Sequence, residues 1–279
     1  PVPVTNWTQP TSFTRIDPAT AEYQICFKCH SYYGLGSAST GITTIIGPSG
    51  TNITDQAMEF NVNNFSVHPV MVGLNSQTGS YVPKALSAVQ MTTDWSSAGA
   101  QTMYCSDCHG NDAAASATVA AGPHGSNNKF MLNGANPFWP TKSDGVTLWA
   151  LNDFTTAAGA PGGLFCANCH PMIAGGVWLN NAHRAHSPSS IGGGDGHVGS
   201  TRMPCVTCHG VIPHGAKRSR LIAYSSDPTP YRYAGTGLNT SVIVGFKKAT
   251  SRTNYADVNC YSLASGCSSN HTNRGGYDQ

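Results

Sequence analysis

Four copies of one cysteine and histidine pattern dominate the chemistry that this chain could perform. In each copy two cysteines are separated by two residues and a histidine follows directly; the copies span 26–30, 105–109, 166–170 and 205–209. Ten cysteines and eleven histidines among 279 residues would produce roughly 0.01 such matches by chance. C-x-x-C-H is the attachment sequence of c-type haem, in which two thiols bond to the porphyrin edge and the histidine binds the iron. The pattern therefore predicts four covalently attached haem c groups.

Each motif supplies two attachment thiols and one proximal imidazole. The predicted attachment cysteines are Cys26, Cys29, Cys105, Cys108, Cys166, Cys169, Cys205 and Cys208. The predicted proximal iron ligands are His30, His109, His170 and His209. Zinc binding or thiol redox chemistry would also use these residue types. A redox site needs only one cysteine pair, however, and zinc sites would combine pairs without tying each pair to its own histidine, so we favour haem.

The remaining histidines could supply the second axial ligand of each iron, which decides whether that iron is closed or open to substrate. The predicted distal candidates are His68, His124, His183, His186 and His214. His124 and His214 lie in Pro-His-Gly segments, in which proline fixes the approach of the chain and glycine lets backbone crowd the ring. His197, in a glycine-rich segment, and His271, near the end of the sequence, are expected to be exposed. Which candidate serves which haem stays open.

Position along the chain supports the other distal candidates. His68 is the only spare histidine between the first two motifs, and His183 and His186 lie three residues apart, on one side of a helix if one forms. Methionine is the other common distal ligand, but Met103 and Met203, each two residues before a motif, are expected to pack against porphyrin instead. We therefore predict bis-histidine ligation of all four haems, which is the ligation of an electron carrier.

Two cysteines lie outside the motifs. Cys260 and Cys267 have six residues between them, and two spare cysteines in a protein matured outside the cytosol favour a disulfide. A further metal site that uses the nearby His271 is the alternative.

The composition indicates a folded, weakly charged protein. Apolar residues make up 39% of the chain and charged residues only 10%, against about 25% charged in ordinary soluble domains. A surface with so little charge is prone to association, and a net charge of +2 argues against a nucleic-acid partner. No apolar run approaches the roughly 18 residues of a membrane span. The sequence shows no leader at Pro1, so a secreted form is expected to have lost its signal peptide already.

The spacing of the motifs predicts a multihaem c-type cytochrome fold that is mostly coil, with few short helices and minor β structure, whose haems form the core. Residues 1–215 are expected to be the tetrahaem-binding region, and residues 216–279 a haem-free, β-leaning cap or docking segment. Between the motifs, the residue pattern predicts a helix near 85–90 and strands at 41–47 and 240–246.

The four motifs, the surplus of histidines, the Pro-His-Gly and His-Pro-Val contexts and about 70 residues per haem resemble the outer-surface tetrahaem cytochromes of the OmcE type. The resemblance covers residues 26 to about 215. It implies extracellular filaments with a continuous haem chain, alternating parallel-stacked and T-shaped haem pairs, and a histidine that can ligate a haem of the next protomer.

The expected function is therefore extracellular electron transfer by a secreted or cell-surface homopolymer. Its expected partners are copies of itself, other cytochromes and extracellular acceptors such as metal oxides. A soluble periplasmic or secreted tetrahaem shuttle is the first alternative. A multihaem oxidoreductase enzyme is the second, although the sequence contains neither a CxxCK variant nor a cluster of paired carboxylates.

Overall fold

The structure is a computed structural model, and its helices are short. It describes residues 6–10, 12–35, 45–46, 52–74, 83, 85–97, 99–112, 122, 124–150, 153, 162–172, 177–179, 203–237, 239–248 and 255–260. The α-helices are α1 (Glu22–Cys26), α2 (Tyr32–Leu35) and α3 (Gln56–Glu59). The 3₁₀ turns are Ala88–Gln90, Thr93–Trp95, Cys105–Asp107, Lys129–Met131, Phe165–Asn168, Val177–Leu179, Cys205–Thr207 and Ser219–Leu221. Within the described residues no helix is long and apolar enough to cross a membrane.

Local side-chain bonds fix where two of the helices begin. At α1 the side-chain oxygen of Gln24 accepts the backbone N–H groups of Thr20 and Ala21 at 2.8 and 3.2 Å. At α3 the carboxylate of Asp55 accepts the backbone N–H of Met58 at 3.2 Å. Both satisfy donors that have no partner within a helix.

The strands form three antiparallel pairs. They are β1 (Ile45–Ile46) with β2 (Asn52–Ile53), β3 (Ser66–Val67) with β4 (Gly215–Ala216), and β5 (Ile243–Lys248) with β6 (Tyr255–Cys260). In the second pair Ser66 lies opposite Ala216 and Val67 opposite Gly215, so residues far apart in sequence meet there. This pair joins the segment between the first two motifs to the residues that follow the last motif.

Apolar side chains gather in three clusters, and each cluster borders cysteines of the motifs. The first contains Phe27, Ala57, Phe60, Val67, Val70, Leu74 and Met103, with Cys105 and Cys108 at its edge. The second contains Leu132, Trp139, Leu148, Trp149, Leu164 and Val206, with Cys166 and Cys205 at its edge. The third contains Ile222, Tyr224, Ile243 and Phe246, with Cys208 at its edge.

The chain after residue 216 packs directly on the last motif. Val242 donates its N–H to the carbonyl of Thr207 at 3.0 Å, and the hydroxyl of Ser241 donates to the carbonyl of Val206 at 2.9 Å. The haem-filled core and the boundary after residue 215 stay predictions.

The elements predicted between the motifs can be compared with those found. The predicted helix at 85–90 is shorter in the structure, where Ala88–Gln90 forms a single 3₁₀ turn. It does not extend further back because Ser87 has extended backbone (φ −80°, ψ 156°). Strand β5 begins three residues later than the predicted strand at 240–246. Of the predicted strand at 41–47 the structure describes residues 45–46, which form β1.

Candidate functional site

Every C-x-x-C-H motif closes on itself as one tight turn. In all four, the backbone N–H of the histidine donates to the carbonyl of the first cysteine at 2.9 Å. The first motif begins at Cys26, the last residue of α1, and 3₁₀ turns lie within the other three at Cys105–Asp107, Phe165–Asn168 and Cys205–Thr207. Residues three and four positions apart share one side of such a turn, so the two thiols and the imidazole of each motif are close together.

Seven of the eight motif thiols have a raised pKa. Burial raises the pKa of Cys105 and Cys108 to about 12 and that of Cys166 and Cys169 to about 11. Burial also raises the pKa of Cys26, Cys205 and Cys208. A zinc site or a redox-active pair requires the thiolate.

Within the part of the chain that the structure describes, one group of side chains has ligand atoms close enough for a metal ion. Atoms of Glu22, Cys26 and Cys105 all lie within 4.8 Å of one another. The two cysteines belong to different motifs, and both have a raised pKa, so binding of a metal ion there would first have to remove their protons. We interpret this group as the contact between two motifs.

Three proximal histidines each face one of the distal candidates. Ring centres lie 6.1 Å apart for His30 and His124, 5.8 Å for His109 and His214, and 6.4 Å for His170 and His68. Two imidazoles on opposite sides of one metal place their ring centres about 6.5 Å apart, given about 2.1 Å from metal to nitrogen. The three separations are shorter than this value by less than about 1 Å, so each pair has room for one iron between the rings after a small movement.

Hydrogen bonds set the orientation of most of these rings. Backbone carbonyls lie opposite Nδ1 of His68 (Pro213, 2.6 Å), His109 (Phe130, 2.8 Å), His170 (Gln90, 3.4 Å) and His209 (Arg220, 3.1 Å). A carbonyl can only accept, so Nδ1 carries the proton and Nε2 keeps the lone pair that a metal needs. For His214 the partner of Nδ1 is a carboxylate oxygen of Glu59 at 2.6 Å.

Burial also keeps several of these imidazoles neutral. Desolvation lowers the pKa of His109 and His170 to about 4, and lowers that of His30 and His68. A neutral imidazole is the form that binds metal, so protons do not compete for these ligands near neutral pH.

Two turns of the same kind contact the histidines of the second and fourth motifs, one turn for each motif. Phe130 and Met131, at φ 59° and 55°, and Arg220 and Leu221, at φ 64° and 57°, have left-handed backbone. In each turn the first carbonyl faces the imidazole of the motif. The second carbonyl accepts the N–H of the glycine after that histidine, at 2.9 Å in both turns. Consecutive non-glycine residues in this region are uncommon and cost energy, so both turns are held by these bonds.

The histidine of the second Pro-His-Gly segment lies where three segments meet. The N–H of His68 donates to the carbonyl of His214 at 2.9 Å, which extends the β3–β4 pair to both histidines. A Cβ on Gly215 would lie 2.1 Å from the carbonyl oxygen of Glu59. Glycine therefore permits a close backbone approach here, as the sequence predicts, but the neighbour is the end of α3.

The motifs meet in the order in which they occur along the chain. Glu22 beside motif 1 accepts the N–H and the hydroxyl of Ser106 in motif 2, both at 2.8 Å. The thiol of Cys108 is close enough to those of motif 3 that they affect its pKa. The thiol of Cys166 has the same effect on Cys205 of motif 4.

Some predicted residues have other surroundings or lie outside the described part of the chain. Met103 is buried in the first apolar cluster, and Met203 is half-buried. The distal candidates His183 and His186 lie outside the described residues, as do His197 and His271. So does Cys267, the partner of Cys260 in the predicted disulfide.

Sequence reasoning missed three features of this site. It assigned no role to Glu59, to the two left-handed turns, or to Trp178, whose ring centre lies 4.6 Å from that of His170. No sequence motif marks any of the three, because each depends on a contact that forms only in the folded chain. In comparisons with protein-family models, curated proteins and solved structures, nothing matched this chain.

Proposed function

We propose that this protein is a tetrahaem c-type cytochrome that carries electrons. The observation that carries the proposal is the set of three facing imidazole pairs, at 5.8 to 6.4 Å, each of which joins a motif histidine to a histidine elsewhere in the chain. The eight motif cysteines would attach the haems, and the histidine pairs would hold their irons. Each haem supplies a one-electron Fe(III)/Fe(II) couple when bound.

The paired imidazoles favour electron transfer over catalysis. An enzyme of the multihaem oxidoreductase class needs an iron with one free face and acid or base groups around it. His124, His214 and His68 would instead occupy the second face at motifs 1, 2 and 3, which their distances from the motif histidines support.

The contacts between motifs support a linear path. Motif 1 contacts motif 2 through Glu22 and Ser106, motif 2 approaches motif 3 at Cys108, and motif 3 approaches motif 4 at Cys166. We infer that the haems follow chain order, so that electrons enter near one end of this series and leave near the other.

We further propose that the protein is extracellular and polymerises into a filament of the OmcE type. The low content of charged residues, 10%, supports self-association because little repulsion separates copies. Other cytochromes and metal oxides are the expected electron donors and acceptors. A diffusing tetrahaem shuttle is the competing function.

Intact-mass measurement of the native red protein tests the haem assignment. Four haems per chain, attached through the four motifs, and a fully low-spin ferric spectrum would support the proposal. A colourless chain that binds zinc stoichiometrically would overturn it. A high-spin signal in the resting protein would favour the enzyme.

A further inference from the structure

Glu59 is a buried carboxylate for which electron transfer as proposed above has no use. It is the last residue of α3, and its side chain is completely buried. One carboxylate oxygen, Oε2, lies 2.6 Å from Nδ1 of His214. The carboxylate also accepts a hydrogen bond from the phenol of Tyr231. Burial of a carboxylate is costly unless it is paired, so its position calls for a reason.

The contact of Glu59 sets one imidazole pair apart from the others. His214 faces His109, the histidine of motif 2. Neutral backbone carbonyls are the Nδ1 partners of His109, His68 and His170. In the described part of the chain, His214 alone among the paired histidines has a carboxylate as its Nδ1 partner.

The surroundings hold the carboxylate in place. The side chain of Asn64 donates to the carbonyl of Glu59 at 2.8 Å, and Asp55 caps the first turn of the same helix. Gly215 approaches the Glu59 carbonyl more closely than any other residue type could. The phenol of Tyr231 lies beside the carboxylate, and burial, followed by the charge of Glu59, raises the pKa of Tyr231. Such support fixes the distance between carboxylate and imidazole.

We propose that Glu59 is a positioning residue that makes the haem of motif 2 the hardest of the four to reduce. This inference rests on the proposed function. A histidine that donates Nδ1–H to a carboxylate is a more basic ligand through Nε2. The acceptor of this bond is a carboxylate whose side chain is fully buried 2.6 Å from the ring, and negative charge that close to a ligand of the iron would favour Fe(III) over Fe(II).

The consequence is an uphill position within the series of haems. Electrons that pass from the motif 1 end to the motif 4 end must cross the site with the lowest potential. Glu59 would therefore limit the rate of transfer through the molecule without touching any electron donor or acceptor.

Redox titration of the complete haem-loaded protein tests the inference. Glu59→Gln keeps the shape and an acceptor but removes the charge, so we expect one of the four midpoint potentials to rise and three to stay. Glu59→Asp, which keeps the charge, should shift that potential less. Asp144→Asn is the matched control: it removes one charge from a carboxylate that lies in an exposed turn and bonds to the N–H groups of Val146 and Thr147. It should leave all four potentials unchanged.

A second measurement identifies the haem. His214→Met changes the distal ligand of one site, so the electron paramagnetic resonance signal that changes belongs to the haem of motif 2. In the unmodified protein this signal should be the last to disappear as the potential is lowered. The order in which the four haems are reduced therefore tests the inference even if Glu59→Gln folds poorly.

Two outcomes would overturn the inference: a haem of motif 2 that is reduced before the others, or potentials that Glu59→Gln leaves unchanged. Failure of the proposed function looks different, because the intact mass would then lack four haems before any titration begins.

Discussion

The imidazole of His68 faces His170 across 6.4 Å, and its Nδ1 is held by the carbonyl of Pro213. His68→Ala leaves one face of the motif 3 haem without a ligand. We expect one haem of four to change from low-spin to high-spin in the ferric protein, as measured by absorption and electron paramagnetic resonance. His197→Ala, a histidine expected to be exposed, should leave every haem low-spin. An unaltered spectrum in His68→Ala would refute the pairing.

The buried histidines also make stability depend on pH. A distal imidazole bound to iron would take up no second proton in the folded protein, whereas a histidine that unfolding releases titrates near about 6.5. As the pH falls through the window from about 7 to about 5, the unfolded chain therefore binds protons that the folded chain does not, so the free energy of unfolding falls.

We expect a loss on the order of a few kcal/mol across that window, at about 1.4 kcal/mol per pKa unit. Guanidinium unfolding of the haem-loaded protein at about pH 7 and about pH 5 measures it. Equal stability at the two pH values would count against buried, neutral imidazoles.

Residue identity alone predicts attachment cysteines and proximal histidines, because C-x-x-C-H carries its geometry in its own spacing, and the structure gives all four motifs the same tight turn. The distal candidates His68, His124 and His214 could be proposed from their contexts but not matched to motifs. Their partners depend on long-range contacts such as the bond between His68 and His214, which local spacing does not contain.

At the scale of elements, the β3–β4 pair depends on Gly215. A Cβ there would lie 2.1 Å from the carbonyl oxygen of Glu59, so the backbone must move. We expect Gly215→Ala to lower the free energy of unfolding by about 1–3 kcal/mol, the usual cost of overpacking. Gly162→Ala is the control, since a Cβ at Gly162 meets nothing within 4 Å. Denaturant midpoints compare the two, and equal midpoints would show that the approach is looser than described.

Other elements were beyond prediction for a different physical reason. The turns at Phe130–Met131 and Arg220–Leu221 place large side chains in left-handed backbone, which intrinsic preference disfavours. The hydrogen bonds that the glycines after His109 and His209 donate to these turns offset that strain. Because tertiary bonds decide these turns, no sequence pattern marks them.

At the scale of the whole molecule, the motifs join three apolar clusters into one series. Cysteines of the motifs lie at the edge of every cluster. A linear series has two ends, and a head-to-tail contact between the ends of identical copies repeats without closing when its rotation does not close a ring. The arrangement is therefore compatible with an open filament, in which the last motif of one copy lies near the first motif of the next.

Electron microscopy distinguishes the filament from the diffusing shuttle, and added salt tests which contacts join the copies. With only 15 basic and 13 acidic residues in the chain, contacts between copies should depend mainly on apolar and hydrogen-bonding surfaces, which salt does not screen. We expect electron microscopy of the native protein to show uniform thin filaments, and the same filaments at about 1 M salt, where charges are screened beyond about 3 Å. Filaments that dissolve in salt would point to an interface built from ion pairs. Single particles over a wide range of protein concentration would instead support a diffusing shuttle. The haem series would then end within each molecule, and electrons would have to pass between molecules by collision.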